Sequence, residues 1–270
     1  MRDCPQLVEI RLHPIKSLDG VTVAACRIGP AGGLESDRVW ALYSTDGNCI
    51  NGKSTADIHR IRAAFAPNLS SVTLSTNGDR RYVAPQTFAF PADFESAAEW
   101  FSGYFERRVV VRYAAEGVPD DTIRNGPMIV STATLRTVCD WFPEIDLEEA
   151  RRRFRTPLEI GGVRSFWEDR LFNVHESDAV RFTIGDINLE GINPCPRCAV
   201  TARDSSSGID SIGFQKRFSE LRRASYPPWA SEPERIKHFY HLGINTRVGA
   251  AEYGKVLRVG DLVDYTRAVT

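Results

Sequence analysis

An excess of charge of either sign is the first thing this sequence lacks. Its 34 Lys and Arg nearly cancel 35 Asp and Glu, leaving a formal net charge of −1. There is no polyelectrolyte signature, so nucleic acid is not an expected partner. No apolar run approaches the length of a bilayer span, and no membrane anchor is expected. The first six residues are polar and run straight into a strand-like segment, which is not the pattern of a secretory leader. Six cysteines in 270 residues, with no internal repeat and no low-complexity tract, do not make a disulfide framework. A reducing, cytoplasmic compartment is expected instead. The length itself allows one large or two modest domains with a substantial core.

The informative stretch is Asn193 to Gly208. Cys195 and Cys198 enclose a Pro196-Arg197 pair, an apolar run follows, and Arg203, Asp204 and a Ser/Gly-rich turn close it. A strand-like segment, Arg181 to Leu189 with a turn at Gly185-Asp186, comes before it. The cysteines are therefore expected on a loop between two strands, where a scaffold can hold reactive groups in place. Four readings stand side by side. The thiols could be half-buried structural residues. They could be a redox pair, although that motif wants its first Cys at a helix N-terminus, and Ala199-Val200-Thr201-Ala202 reads as strand. They could join His238 and His241 in a zinc site, across a separation far longer than in a compact finger. Finally, one thiolate could bind a softer metal centre, with Arg beside it for an anionic group.

Elsewhere the patterning is that of a β-rich α/β chain. Leu7 to Leu12 alternates and reads as a strand ending at His13-Pro14. Val21 to Ile28, Asn68 to Leu74, Arg81 to Val83 and Glu106 to Tyr113 are further strand candidates. Asp46-Gly47 marks a hairpin turn and Asn77-Gly78-Asp79 another turn. Phe94 to Phe105 has helical spacing with a packing stripe. The polar run 115–125 is the best domain boundary. After it, Met128 to Thr132 reads as a short strand, with Thr132 capping a helix that runs to about Trp141. Ile145 to Phe154 reads as a helix whose early acids and late Arg151, Arg152 and Arg153 complement the helix dipole, which accounts for the basic run without a ligand. Arg155 lies past that helix. Phe166 and Trp167 read as buried aromatics beside a solvated acidic turn, Glu168-Asp169; Gln215 to Arg223 reads as a helix and Tyr226 to Pro233 as an irregular loop. His238 to His241 reads as half-buried aromatics before a strand, or as a metal pair.

The stretch Asn193 to Gly208 resembles the signature of the MOSC domain, roughly P-C-x-R-C followed by an Asp and a Gly, with Ser205 where Pro is usual. Ile15-Lys16-Ser17 resembles the motif that opens the family's N-terminal β-barrel domain, with His13 in place of Tyr. Gly33-Leu34, Asp37-Arg38 and Trp40 resemble its G-L-x-x-D-R-x-W segment, and Phe154-Arg155 its F-R step without the usual Asn. Phe166 to Asp169 resembles its F-x-E-D step, and Val259-Gly260-Asp261 the turn between its closing barrel strands.

This resemblance implies an N-terminal MOSC-type β-barrel domain over 1–115 and a MOSC β-barrel domain with peripheral helices over 116–270. It also implies a molybdenum cofactor, the metal held by a pyranopterin dithiolene. Cys198 would be the metal ligand and catalytic residue. Lys16, Ser17, Arg38, Arg155, Arg197 and Asp204 would bind the cofactor, with Asp37 orienting Arg38. The implied reaction is reduction of small N-hydroxylated compounds such as amidoximes and hydroxylamines. The chain stops at Thr270 without an iron–sulfur domain, so electrons would come from a separate donor protein of ferredoxin, flavin or haem type. A cofactor or sulfur carrier without turnover, and a zinc-binding structural protein, are the alternatives.

Overall fold

Strand β1, Gln6–Leu12, buries Leu7, Ile10 and Leu12 almost completely. It is the last strand but one of an eight-stranded sheet and does not belong to a separate N-terminal sheet. The computed structural model describes residues 4–78, 81–114, 126–173, 175, 178–227, 236 and 238–265. The polar run 115–125 and parts of the turn at 77–79 and the loop at 226–233 lie outside these residues.

The expected strand from Val21 to Ile28 is split at Ala24 into β2, Val21–Val23, and β3, Ala25–Arg27. β2 pairs with β1, so the two halves of the segment serve different sheets. Next come β4, Trp40–Ser44, and β5, Cys49–Ile50, joined by the Asp46-Gly47 turn with Gly47 at φ 85°. β6, Ile61–Phe65, then pairs with β7, Ser71–Thr76, and β7 with β8, Gln86–Ala89. The strand expected at Arg81 to Val83 is irregular chain, and its pairing role falls to β8 a few residues on. A 3-10 turn, Phe94–Ala97, leads into α1, Ala98–Phe105, and then β9, Val109–Tyr113, pairs with β4. Trp40, Phe90, Phe94, Trp100, Phe101 and Tyr104 form the aromatic core of this half. Their edge-to-face contacts, such as Trp40–Phe94 at 5.3 Å, suit aromatic quadrupoles.

In the second half, β10, Ile129–Ser131, runs into α2, Thr132–Trp141. The helix cap is Ser131, whose hydroxyl accepts from the Thr134 N–H, and not Thr132 as the sequence suggests. Thr132 is instead the first helical residue and donates to Glu159 at 2.6 Å. α3, Leu147–Phe154, is capped by Asp146, which accepts from the Glu149 N–H at 2.7 Å. β11, Leu158–Gly161, follows, then β12, Val180–Ile184, and β13, Ile187–Pro196, which form a hairpin. α4, Phe214–Ser225, precedes β14, His241–Val248. β15, Val256–Arg258, and β16, Val263–Asp264, close the chain around a turn with Gly260 at φ 102°.

The large sheet has the order β16-β12-β13-β14-β10-β11-β1-β2, and β15 pairs with β3. First-half strands are thus built into the sheet of the second half, and this brings the chain before β2 beside α3 and the end of β13. The result is a β-rich α/β fold with helices packed around it. No helix among the described residues is long and apolar enough to cross a membrane, and all six cysteines are free.

Candidate functional site

Two prolines shape the end of β13. Neither Pro194 nor Pro196 can donate to the ladder with β14, and the register slips between them. The chain therefore leaves the sheet here. The Arg197 N–H still bonds the Tyr240 carbonyl at 2.9 Å. Cys198 is extended, with φ −86° and ψ 168°, and caps a 3-10 turn, Ala199–Ala202, where the sequence reads as strand. Thr201 closes that turn: its N–H and its hydroxyl both donate to the Cys198 carbonyl, at 3.2 and 3.1 Å. The two thiols are placed differently. Cys195 is buried and Cys198 is exposed.

Arg197 is committed to architecture as much as to the cleft. Its guanidinium donates to the Phe154 carbonyl at the end of α3, to Met128 Sδ at 3.1 Å and to Cys195 Sγ at 3.4 Å. It also lies over the Phe154 ring at 5.5 Å. Cys195 is thereby a packed support.

Arg155 takes the left-handed conformation that ends α3, with φ 51° and ψ 43°. Glycine is the usual occupant of such a cap, so an arginine here bears a conformational cost. Ser17 at φ 68° and Arg38 at φ 54° share that region. These three are among seven described non-glycine residues with positive φ, and such strain gathers at functional sites. Asp37 organises this corner. One carboxylate oxygen accepts from the His13 N–H at 2.7 Å and the other from Arg38 Nε at 3.0 Å. Ser17 Oγ accepts from the Gly52 N–H at 3.1 Å, and the Lys16 N–H bonds the Trp40 carbonyl at 2.8 Å. Arg155 donates to the Leu18 carbonyl. Burial lowers its pKa, the Arg38 charge lowers it further, and Asp19, Asp37 and Cys198 oppose both; the balance is about 10.

A cleft of about 250 Å³ brings Lys16, Ser17, Arg38, Arg155, Arg197 and Cys198 to one wall. Asp204 does not line it. One Asp204 oxygen accepts from the N–H and hydroxyl groups of Ser206 and Ser207, at 2.7–3.1 Å, and so shapes the turn after the signature. Burial would raise the pKa of this carboxyl, but the Ser207 and Ser206 bonds outweigh it and hold it at about 2.

The cleft also has a lining to which the sequence reading gives no role, although Asn51 to Arg62 falls where the resembled family has a basic loop near its cofactor. Asn51, Gly52 and Lys53 contribute from the loop after β5, and Arg153 from α3. Arg153 fits the helix-dipole pattern, yet it is buried, pairs with Glu149 at 2.5 Å and reaches the cleft wall. A side chain at Gly52 would come within 2.9 Å of Val200, so the close approach of these two loops needs glycine. A second cavity, of about 340 Å³, shares Ser17, Arg153, Arg155 and Val200 with the first.

The histidines do not complete a metal site with the thiols. Among the described residues, no group of three or more His, Cys, Asp or Glu could hold a metal ion. The His241 ring is buried, stacks on His238 at 4.5 Å and lies 3.4 Å from the Tyr226 hydroxyl. Glu168 and Asp169, which read as a solvated turn, are buried instead. Asp169 pairs with Arg222 at 2.5 Å.

Comparison with known proteins adds the following. Residues 4–108 match the family model described as the MOSC N-terminal beta barrel domain. The chain is 23% identical over 236 residues to Mitochondrial amidoxime reducing component 2 of Bos taurus, covering 74% of this chain and 67% of that one. It is 20% identical over 237 residues to the Homo sapiens protein of the same description, covering 75% and 68%. A solved structure described as that of an hypothetical protein aligns over 99% of this chain and 70% of its own. At 9% identity and a TM-score of 0.40, it carries no argument.

Proposed function

We propose, for a chain whose residues 4–108 belong to the MOSC N-terminal beta barrel domain family, that it binds a molybdenum cofactor and reduces N-hydroxylated compounds, amidoximes or hydroxylamines. The family and the similarity to amidoxime reducing components support a molybdenum-cofactor-related role. The particular reaction is our reading. The observation that carries it is the cleft itself, where cations from five separate segments line one wall with an exposed thiol.

The donor set fits the group. A single accessible thiol is a soft ligand suited to a transition metal. The guanidinium groups of Arg38 and Arg155 and the ammonium of Lys16 suit phosphate and pterin oxygens. When bound, the cofactor supplies the two-electron chemistry, and the protein binds and orients. Cys198 would hold the metal. Lys16, Ser17, Arg38 and Arg155 would hold the organic part, and Arg197 would keep the loop in place through Cys195 and the end of α3. Asp204 acts in this reading through the turn it ties, not through contact. Reduction of an amidoxime to an amidine consumes two electrons and two protons and releases water, so a separate ferredoxin-, flavin- or haem-type donor belongs to the proposal. So do a cytoplasmic location and a division into domains over 1–115 and 116–270. That division is one of sequence, since β1 and β2 are built into the second-half sheet.

The test is metal and pterin analysis of the full chain from a molybdenum-replete host, followed by amidoxime reduction with a chemical electron donor. Molybdenum and pterin near one per chain, with turnover, are expected. Molybdenum and pterin without turnover would favour a carrier. Stoichiometric zinc would overturn the reading.

A further inference from the structure

The second cavity is not accounted for by the thiol and the residues grouped around it. Its lining includes Arg155 but not Cys198, and six arginines contribute to it: Arg11, Arg62, Arg152, Arg153, Arg155 and Arg203. Only two carboxylates, Asp19 and Glu148, share that wall. The other acids that pair with these arginines are not among the lining residues. Glu9 holds Arg11 at 2.7 Å, Glu149 holds Arg152 and Arg153 at 3.3 and 2.5 Å, and Asp210 holds Arg203 at 3.0 Å. The wall therefore carries six guanidinium groups against two carboxylates, Asp19 paired with Arg62 and Glu148 with Arg11, each at 2.9 Å.

Two histidines complete the wall, and both are kept neutral there. Burial and the charges of Arg155, Arg38 and Arg11 push His13 well below its ordinary range, and burial with Arg155 and Arg203 brings His59 to about 4. His59 Nε2 is buried and has no hydrogen-bond partner among the described residues. Gly20 keeps the His13 side open, since a Cβ there would come 2.8 Å from the imidazole ring. A volume of about 340 Å³ is ample for a phosphate or carboxylate with part of its carrier. Guanidinium groups bind such oxyanions by paired, charge-assisted hydrogen bonds.

We propose that this cavity seats an anionic group of the substrate, so that the protein prefers N-hydroxylated compounds bearing a carboxylate or phosphate. The substrate half of this inference rests on the reductase reading; the anion-binding half does not. The shared residues Ser17 and Arg155 make the two cavities neighbours, so one molecule could present its N–O bond to the cleft and its anion to the arginines.

Arg62 is the residue to change, because it lies outside the cofactor set and its ion pair with Asp19, at 2.9 Å, is partly exposed. Full-length protein is titrated calorimetrically with 4-carboxybenzamidoxime and with uncharged benzamidoxime, and inorganic phosphate is added as competitor. The carboxylate should bind at least about tenfold more tightly, as one charge-assisted hydrogen bond allows. Phosphate should displace it. Arg62→Ala should abolish most of the preference with molybdenum and pterin contents unchanged, and Asp19→Asn should strengthen it. Equal affinity for the two compounds, or a preference untouched in Arg62→Ala, would overturn the proposal. So would loss of pterin in Arg62→Ala, since the cavity would then serve the cofactor. Absence of turnover with either compound would sink the reductase reading alone, and carboxylate-selective binding lost in Arg62→Ala would still establish the anion site.

Discussion

Two of the places where charge is withdrawn from water among the described residues are built differently. In the cleft, Lys16, Arg38 and Arg155 face a cavity and an exposed thiol. In the core behind it, Arg222 is sandwiched between the Phe166 and Tyr226 rings, at 4.2 and 4.1 Å, and paired with Asp169 at 2.5 Å. The core cation has its counter-charge and its packing within the protein. In the cleft, Arg38 pairs with Asp37 at 3.0 Å and Arg155 donates to the Leu18 carbonyl, and both residues take a positive φ beside a cavity. The core pair is closed within the protein, while the cleft cations line an open cavity. Substitutions in the two places should therefore fail in opposite ways.

The largest effect on the fold should come from Arg222→Ala. It leaves Asp169 buried without its partner, and breaking a buried pair costs about 3–5 kcal/mol. Denaturant unfolding at pH 7 checks this, and a change under about 1 kcal/mol would mean the pair is not the closed unit described here.

Glu168→Gln should act in the other direction. Glu168 is buried, and burial followed by the Asp169 charge raises its pKa to about 7, against the smaller opposing effect of hydrogen bonding with Thr134 and Ser131. Because the folded value lies above the unfolded one, near 4.5, the protonated acid costs nothing below pH 4.5. Stability is then lost as pH rises through 7. Glutamine removes that loss, so the variant should gain up to about 3 kcal/mol at pH 8 and almost nothing at pH 4.5. Unfolding at the two pH values reads the difference, and a gain independent of pH would refute the assignment.

The smallest effects on the fold are expected in the cleft. Arg155→Gly relieves a positive φ, and Arg38→Ala removes a pair with Asp37 at 3.0 Å. The first should change stability by no more than about 1 kcal/mol. The second leaves Asp37, largely buried, without its cation, and should cost about 1–3 kcal/mol, less than Arg222→Ala. Each should also lower molybdenum and pterin occupancy severalfold. Full occupancy in both variants would remove these residues from the site.

Much of this contrast could be read from the residues before any coordinates. Lys16, Ser17, Arg38, Arg155, Arg197 and Cys198 were marked by motif order, and the fold brings all six to one cleft. The alternation of β1 and the Asp46-Gly47 turn were equally plain, because they depend on near neighbours alone. What was hidden depends on distant partners. Glu168 and Asp169 look like a solvated turn until α4 supplies Arg222, 53 residues away. Arg153 satisfies the helix dipole, and nothing in its own segment says that its guanidinium also reaches the cleft. Val200 and Thr201 favour a strand by propensity, but the Thr201 bonds to the Cys198 carbonyl wind them into a turn. Asp204 kept its place in the motif and turned inward to its own loop, toward Ser206 and Ser207.

The central claim is that Cys198 and Cys195 are unequal, one a metal ligand and the other a packed support. It is tested most directly by measuring molybdenum and pterin in Cys198→Ala and Cys195→Ala side by side. The account predicts that Cys198→Ala folds, loses its molybdenum and gives no amidoxime reduction, while Cys195→Ala keeps most of its metal and activity. Equal and complete loss of molybdenum in the two folded variants, or turnover surviving in Cys198→Ala, would contradict it.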